Sequence, residues 1–593
     1  MSVTSSDREK EQNVMVENYS GVSDERITWR KRFFGRADAS NDAFYDEALA
    51  KYGAEGAISP EAERRLVRKI DWVVLPCLAM GYVFYYVDKT TLSYAAIFGI
   101  KAAKPKGLGL VGTEYSWLSS IFYFGWLAWS IPSNLIMQKC PPATYLAINV
   151  FFWGVFLMLQ AVSHNFATLA ALRVISGAFE AIADPAFMLM TSMYYTREEQ
   201  PSRISFWYAF NGVGVGIGGL LGYGIGKIKG DLTSWRYEFI IVGAICSTWA
   251  IWLFWRLPNS PVSMVWLTRE ERLMAVARLR KNQTGIENRE FKMDQAIECM
   301  LDVKTWLFLL LGFVGNIPNG GISNFSTLII QGLGFNTWQT TLLGLPQGAL
   351  VVIWISLGAY LNARLPPNSR TYICMLFMLP TIAGSLGFLL APVHASGGRL
   401  VCYYLTGSYQ TSFVIALSII TSNTGGQTKK MLTNALIWFG ACVGNIASPF
   451  FYHSNQAPTY HLGIGSMLVA NILELCIFVV LRVILARENR KREQAAANGK
   501  VVEENETTFK DLTDKQNPKW VECPIRLSFA DYMFFQFPLC LLASRSSSIL
   551  SLYTIWAPQP SCPRSVFVFG TLMFLGRPQF CYDITNGNLK KNE

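Results

Sequence analysis

The sequence predicts an all-α integral membrane protein of twelve transmembrane helices in two six-helix bundles, on three observations. Hydrophobic residues make up 51% of the 593 and charged residues 16%, with a mean hydropathy of +0.25, whereas soluble domains average about 25% charged. Apolar stretches of about 20 residues recur from Asp71 onward, each long enough to cross a hydrocarbon core of roughly 30 Å as a helix. A long hydrophilic stretch, 257–305, divides them six and six. The 38 Phe, 25 Tyr and 18 Trp suit a chain with many crossings of the membrane–water interface.

Residues 1–70 are polar and contain no apolar run. They are expected to form a cytosolic tail without a cleaved signal peptide, the first span serving as its own insertion signal. The twelve expected segments are 72–98, 115–137, 143–163, 166–190, 204–226 and 238–256 in a first bundle (71–256), then 306–330, 338–361, 371–391, 400–421, 432–452 and 463–486 in a second (306–486). Orientation follows the positive-inside rule. The central loop holds Arg269, Arg272, Arg278, Arg280, Lys281, Arg289, Lys292 and Lys304, and the last segment is followed by Arg487, Arg490, Lys491 and Arg492. The even-numbered loops add Lys139, Arg197, Arg203, Arg364, Arg370, Lys429 and Lys430, so both termini and the central loop are placed in the cytosol. Lys101, Lys104 and Lys106 fall on the opposite side and are outvoted. The net charge of +11 therefore reflects loops beside a lipid bilayer and not nucleic-acid binding.

Within the loop, Thr268 to Glu271 forms a Ser/Thr-x-x-Glu capping box ahead of Leu273, Val276 and Ala277. It opens an amphipathic helix, either a linker lying on the membrane surface or a gate element that meets anionic lipid. Asn282-Gln-Thr284 matches a glycosylation acceptor but on the cytosolic side stays unmodified. The 487–593 tail changes character after Pro518; the apolar patches of 519–593 are too short to span, and no fold is assigned there. The twelve Cys are scattered without a metal-ligand spacing, and no metal or cofactor is expected. No nucleophile–base pair stands out either, so an enzyme is not expected.

Ionisable groups inside membrane segments are costly and are functional candidates by default. Segment one has Asp88 and Lys89, segment four Arg173, Glu180 and Asp184, and segment twelve Glu474 and Arg482. Arg173 and Glu180 are two helical turns apart and share a face, so they form either part of a proton-binding site or a static ion pair with segment one. Asp184, before Pro185, ranks below Glu180; Glu474 and Arg482 read as groups snorkelling to an interface. All four His fall in or beside predicted external loops, which leaves the carboxylates to bind protons. The middles of segments seven to eleven offer neutral hydrogen-bonding groups instead, among them Asn316, Asn319, Tyr403, Gln410 and Asn434. Segment five, Asn211 to Gly226, has eight glycines, of which Gly212, Gly216 and Gly219 are candidates for a moving gate or for close packing.

Val87-Asp-Lys-Thr-Thr-Leu92 and Arg173-Val-Ile-Ser-Gly-Ala-Phe-Glu-Ala181 resemble the anion:cation symporter branch of the major facilitator superfamily. Gly358-Ala-Tyr-Leu-Asn362-Ala-Arg364 is similar to a degenerate copy of that superfamily's cytoplasmic loop motif, with Asn362 in place of the usual Asp, and assigns Asn362 and Arg364 to gating. Trp306 to Ile330, Trp266 to Ile286 and Asp511 to Pro518 look like fungal allantoate permeases. The resemblance covers about residues 60–518, which marks 519–593 as an aberrant extension. It implies a monomeric plasma-membrane carrier that imports a small organic anion, allantoate or a related ureido acid, with protons. Asp88 and Glu180 become the proton-binding acids, Arg173 their partner, and Lys89 the cation beside the substrate carboxylate. Many acid symporters have Arg at that place, and Lys lacks its bidentate fork. A dipeptide, a vitamin acid or a thiamine-related compound are alternative solutes, and a non-transporting nutrient receptor is an alternative class.

Overall fold

The computed structural model describes residues 58–497 apart from 197, 280–291, 366–368 and 458, together with 44, 47, 48, 50–52 and 513–515. The Asn282 acceptor and residues 519–593 lie outside the described residues.

Every expected segment is helical, and ten helices are long and apolar enough to cross a membrane. The second and tenth expected segments fall short of that measure: Glu114–Lys139 is interrupted by Ser, Tyr and Trp, and segment ten is split into Ser396–Leu405, a 3₁₀ turn and Tyr409–Asn423. Boundaries shift where caps decide them. Segment one runs Pro60–Ile97, opened by Ser59, whose hydroxyl accepts from the Ala62 amide at 3.3 Å with Pro60 at the first helical position. The expected boundary at residue 71 therefore falls inside a helix. Segment four breaks between Phe166–Glu180 and Ala183–Tyr194. The cause is local: Pro185 has no amide hydrogen to bond the Ala181 carbonyl four residues back. Segment eight breaks the same way before Gly344–Arg364, with Pro346 four residues after Leu342.

The packing repeats along the chain. Segments one and five, two and four, and three and six pack together, and so do seven and eleven, eight and ten, and nine and twelve, each pair six segments later. The halves meet where segment one lies against seven, two against eleven and five against eight. At the C-terminal ends of segments one, seven and eleven these contacts are polar and close. Ser93 Oγ lies 2.8 Å from Thr327 Oγ1, the Tyr115 hydroxyl donates to the Asn324 carbonyl at 2.7 Å, and Ser120 donates to the Ile446 carbonyl at 2.7 Å. Glycines permit the third contact. A Cβ on Gly212 would stand 2.3 Å from the Gly348 carbonyl oxygen, and one on Gly219 2.5 Å from that of Thr341. Both are closer than any side chain tolerates, whereas a Cβ on Gly216 meets only Leu345, at 3.6 Å.

The central loop helix is Arg269–Leu279, and its capping box forms: the Glu271 amide donates to Thr268 Oγ1 at 3.3 Å and the Thr268 amide to Glu271 Oε2 at 3.0 Å. The helix does not offer its apolar face to a membrane. Leu273, Val276 and Ala277 are buried against Phe44, Ala48 and Tyr52 of the N-terminal tail and against Ile58 and Val262. Its charges are matched within the chain, Arg269 by Glu47 at 2.9 Å, Glu270 by Lys51 at 2.6 Å, Glu271 by Lys69 and Arg278 by Glu199. The expected membrane-surface linker is thus a clasp over the tail, because those partners lie elsewhere in sequence.

Candidate functional site

Segments one, two, four, five, seven, ten and eleven enclose a central cavity of about 540 Å³. Segment one lines it with Tyr82, Tyr85, Tyr86 and Lys89, segment four with Asp184, segment five with Tyr208 and segment two with Tyr123 and Trp126. The second half contributes Asn316, Asn319, Tyr409, Gln410, Trp438 and Asn445. A second cavity of about 590 Å³ adjoins it and shares Tyr86, Asn319, Tyr409 and Gln410. Segment one delivers its residues in one stripe because Tyr82, Tyr85, Tyr86 and Lys89 follow the three- and four-residue spacing of a helix face.

Charge is concentrated on one wall. The Lys89 ammonium sits 3.9 Å from the centre of the Tyr85 ring and 5.2 Å from that of Tyr86, a cation–π arrangement that stabilises a desolvated cation without neutralising it. The Tyr85 hydroxyl donates to Asp184 Oδ2 at 2.8 Å, so one tyrosine links the cavity's cation to its anion. Asp184 therefore belongs to the site and not to a cytosolic end, since the break at Ala181–Ile182 turns its part of segment four inward. Behind the wall Asp88 is buried and accepts from Trp153 Nε1 at 2.8 Å. Glu180 is buried with neither carboxylate oxygen meeting a donor, and the charges that bear on it are Asp88, Lys89 and Asp184. Arg173 is buried too, but its Nε donates to the Leu118 carbonyl at 2.7 Å and its guanidinium lies over Phe122 at 5.3 Å. The Arg173–Glu180 ion pair that shared helix phase suggested is not the contact Nε makes.

The amides form a chain across the second half. Tyr409 donates to Asn319 Oδ1 at 3.3 Å, Asn319 donates to Asn445 Oδ1 at 3.0 Å, and Asn445 donates to Asn316 Oδ1 at 3.2 Å. Gln410 Oε1 accepts from Asn211 Nδ2 at 2.5 Å, across from segment five. Of the expected binding residues, Lys89, Asn316, Asn319 and Gln410 line the cavity. Tyr403 does not; it is buried, and its hydroxyl accepts from Gln347, which lines the second cavity, at 3.5 Å. Asn434 is half-buried on segment eleven away from both cavities. Asn362 and Arg364 sit at the end of segment eight, with the Arg364 guanidinium 5.5 Å from the Tyr360 ring.

Sequence reasoning passed over Asp184's place, Asn211 and Asn445, and the pair Gly344 and Gly348. The last was legible as two small residues four apart, the spacing that lets helices approach closely. Glu474 was misjudged: it is fully buried and does not snorkel, whereas Arg482 stacks on Tyr372 at 4.7 Å. Cys140 and Cys476 are exposed, unlike the buried cysteines expected.

A multi-pass helical protein with a polar, charged cavity at the seam of two packing repeats has the build of a membrane transporter. The chain belongs to the Major Facilitator Superfamily, whose family model matches residues 78–449. It is 36% identical to an uncharacterized transporter of Schizosaccharomyces pombe over 88% of this chain and 99% of that one. It is 33% identical to the allantoate permease of Saccharomyces cerevisiae (80% and 89%) and 31% to that yeast's thiamine pathway transporter (81% and 90%). Among solved structures it is similar to a bacterial homolog of the human lysosomal transporter Spinster, with a TM-score of 0.50 and 14% identity over 69% of this chain and 95% of that one.

Proposed function

We propose that this protein is a secondary active carrier that imports a small organic anion, allantoate or a related ureido acid, by proton symport. The observation that carries the reading is the pairing of Lys89, open to a cavity ringed by tyrosines and amides, with buried Asp88 and Glu180 immediately behind it. A carboxylate on the solute would meet the ammonium, and planar amide or ureido groups would meet Asn316, Asn319 and Gln410. Two carboxyls side by side in a water-poor site cannot both stay ionised cheaply, so a proton held between Asp88 and Glu180 satisfies both, and its release is tied to the charge state of Lys89 and Arg173. The likeness to an allantoate permease supports the choice of solute; the likeness to a thiamine pathway transporter keeps a larger vitamin-type solute as the second reading.

The transport cycle we infer is the rocking of two six-helix bundles, segments one to six against seven to twelve, around the central cavity. The packing repeat six segments apart supports that division. With both termini cytosolic, in the plasma membrane and as a monomer, the hydroxyl and glycine contacts among segments one, two, five, seven, eight and eleven form the external gate. The structure then corresponds to a carrier closed to the outside. Labelled allantoate uptake into cells without their own permeases, with a competition panel of ureido acids, dipeptides and vitamin acids, tests the reading. Uptake that rises with external acidity and is blocked best by ureido acids is expected; no proton-dependent uptake of any of these solutes overturns it.

A further inference from the structure

Glu474 lies in the interior of segment twelve, 0% exposed, and neither of its carboxylate oxygens meets a hydrogen-bond donor. Asn471, one turn earlier on the same face, is also fully buried with its carbonyl oxygen unmet, while its amide donates to Ser385 Oγ at 3.4 Å. Segment seven faces the carboxyl with a glycine. A Cβ on Gly315 would stand 3.4 Å from the Glu474 carboxyl carbon and from both oxygens, and Gly315 itself lines the central cavity. The wall between carboxyl and cavity is thus one residue of backbone without a side chain. The titratable groups that bear on this site are the Cys374 thiol of segment nine and the Tyr409 hydroxyl of segment ten. No charged side chain among the described residues acts on Glu474.

An ionised carboxylate here would have neither counter-charge nor hydrogen bonds, the costliest condition for a buried charge. A bound proton removes the charge, with one O–H bond formed on a carboxylate oxygen and the proton taken from water in the cavity. We propose that Glu474 is a second proton-binding site, separate from the Asp88–Glu180 pair and open to the central cavity at Gly315. Its contribution to uphill transport rests on the proton-coupled reading above, whereas its occupancy by a proton does not. In a carrier whose first half holds the ion-rich wall, Glu474 places a protonatable group in the half otherwise lined by neutral amides.

Infrared spectroscopy of the full chain in lipid nanodiscs reads the proton directly. The carbonyl stretch of a protonated carboxyl is expected at neutral pH, to be lost in Glu474→Gln, to return shifted in Glu474→Asp, and to survive in Glu180→Gln. A spectrum unchanged by Glu474→Gln, or a band set by sodium concentration and not by pH, overturns the proposal. In proteoliposomes, loss of one coupled proton lowers accumulation about tenfold per unit of imposed pH gradient, with solute exchange retained; unchanged accumulation overturns the coupling role. Failure of the wild type to move any organic anion with protons would defeat the functional reading alone, because the infrared band decides Glu474 without substrate.

Discussion

Lys89 is held by rings and not by a carboxylate at ion-pair distance, with its ammonium 3.9 Å from the Tyr85 ring centre. That leaves its charge available to a solute. Lys89→Gln is expected to remove a charge-assisted hydrogen bond worth about 1.5–3 kcal/mol, which at 1.4 kcal/mol per decade is about 10- to 100-fold in apparent affinity. Lys89→Arg retains more, and equal uptake affinities in all three proteins would assign Lys89 to the Tyr85–Asp184 contact alone. Glu180→Gln mimics a permanently protonated acid. Counterflow exchange should persist while pH-driven accumulation is lost, and wild-type uphill uptake by this variant would take Glu180 off the proton path. A monovalent anion carried with one proton draws only on the pH gradient, about 1.4 kcal/mol per unit. A second proton adds the membrane potential, about 2.3 kcal/mol per 100 mV, so voltage sensitivity in proteoliposomes counts the protons. The candidate acids were readable from sequence because charge inside an apolar run stands out. The roles of Tyr403 and Asn434 were not, because polar residues on a membrane helix look alike until their facing is known.

At the scale of elements, segments five and eight separate three glycines that sequence treats as equivalent. Gly212→Ala drives a methyl into the Gly348 carbonyl, whereas Gly216→Ala meets only Leu345. Overpacking of this kind costs about 1–3 kcal/mol, so Gly212→Ala is expected to destabilise the state in which the two segments touch and to expose the cavity to externally added alkylating reagent. Gly216→Ala should label and transport like wild type. Equal labelling of both variants would mean that this crossing does not gate the cavity. Segment four carries the complementary lesson. Its break comes from Pro185, visible in sequence, but the consequence, Asp184 turned to the cavity, needed the neighbouring helices.

Over the whole molecule, the C-terminal tail returns to the second half at residues 513–515. Asp514 is buried between Lys304 and Lys429, at 2.7 Å from each ammonium, and Thr513 donates to Glu298 at 2.8 Å. Gly425 and Gly426 make room: a Cβ on Gly425 would stand 2.5 Å from the Asp514 amide nitrogen. Burial alone would raise the Asp514 carboxyl, but Lys304 and Lys429 outweigh it and hold it below its ordinary value. A carboxylate lowered in this way stabilises the docked tail above its unfolded pKa of about 3.9, and that stabilisation is lost as pH falls through the lower folded value. The tail should therefore stay docked at mildly acid pH. Truncation after Lys510 removes Asp514 and is expected to lower stability by about 1.5–3 kcal/mol, the worth of a hydrogen bond to a charged group. Truncation after Pro518 should leave uptake and surface abundance within about twofold, as changes outside packed features do. Thermal unfolding of the two truncated chains compares them, and equal stability would show that the tail contact contributes nothing.

The sequence by itself determined that this chain crosses a membrane repeatedly, in two sets of segments about a charged loop, with ionisable groups in segments one and four. Those features are local: apolar length, loop charge and the rarity of charge in lipid are all legible without neighbours. Tertiary structure decided which of those groups share a cavity, because helix facing depends on what packs alongside. It covered the loop helix Arg269–Leu279 with the N-terminal tail, docked Asp514 on two buried lysines, and buried Glu474 against Gly315. Each of these joins residues far apart in the chain, and no periodicity within one segment records the partner on another.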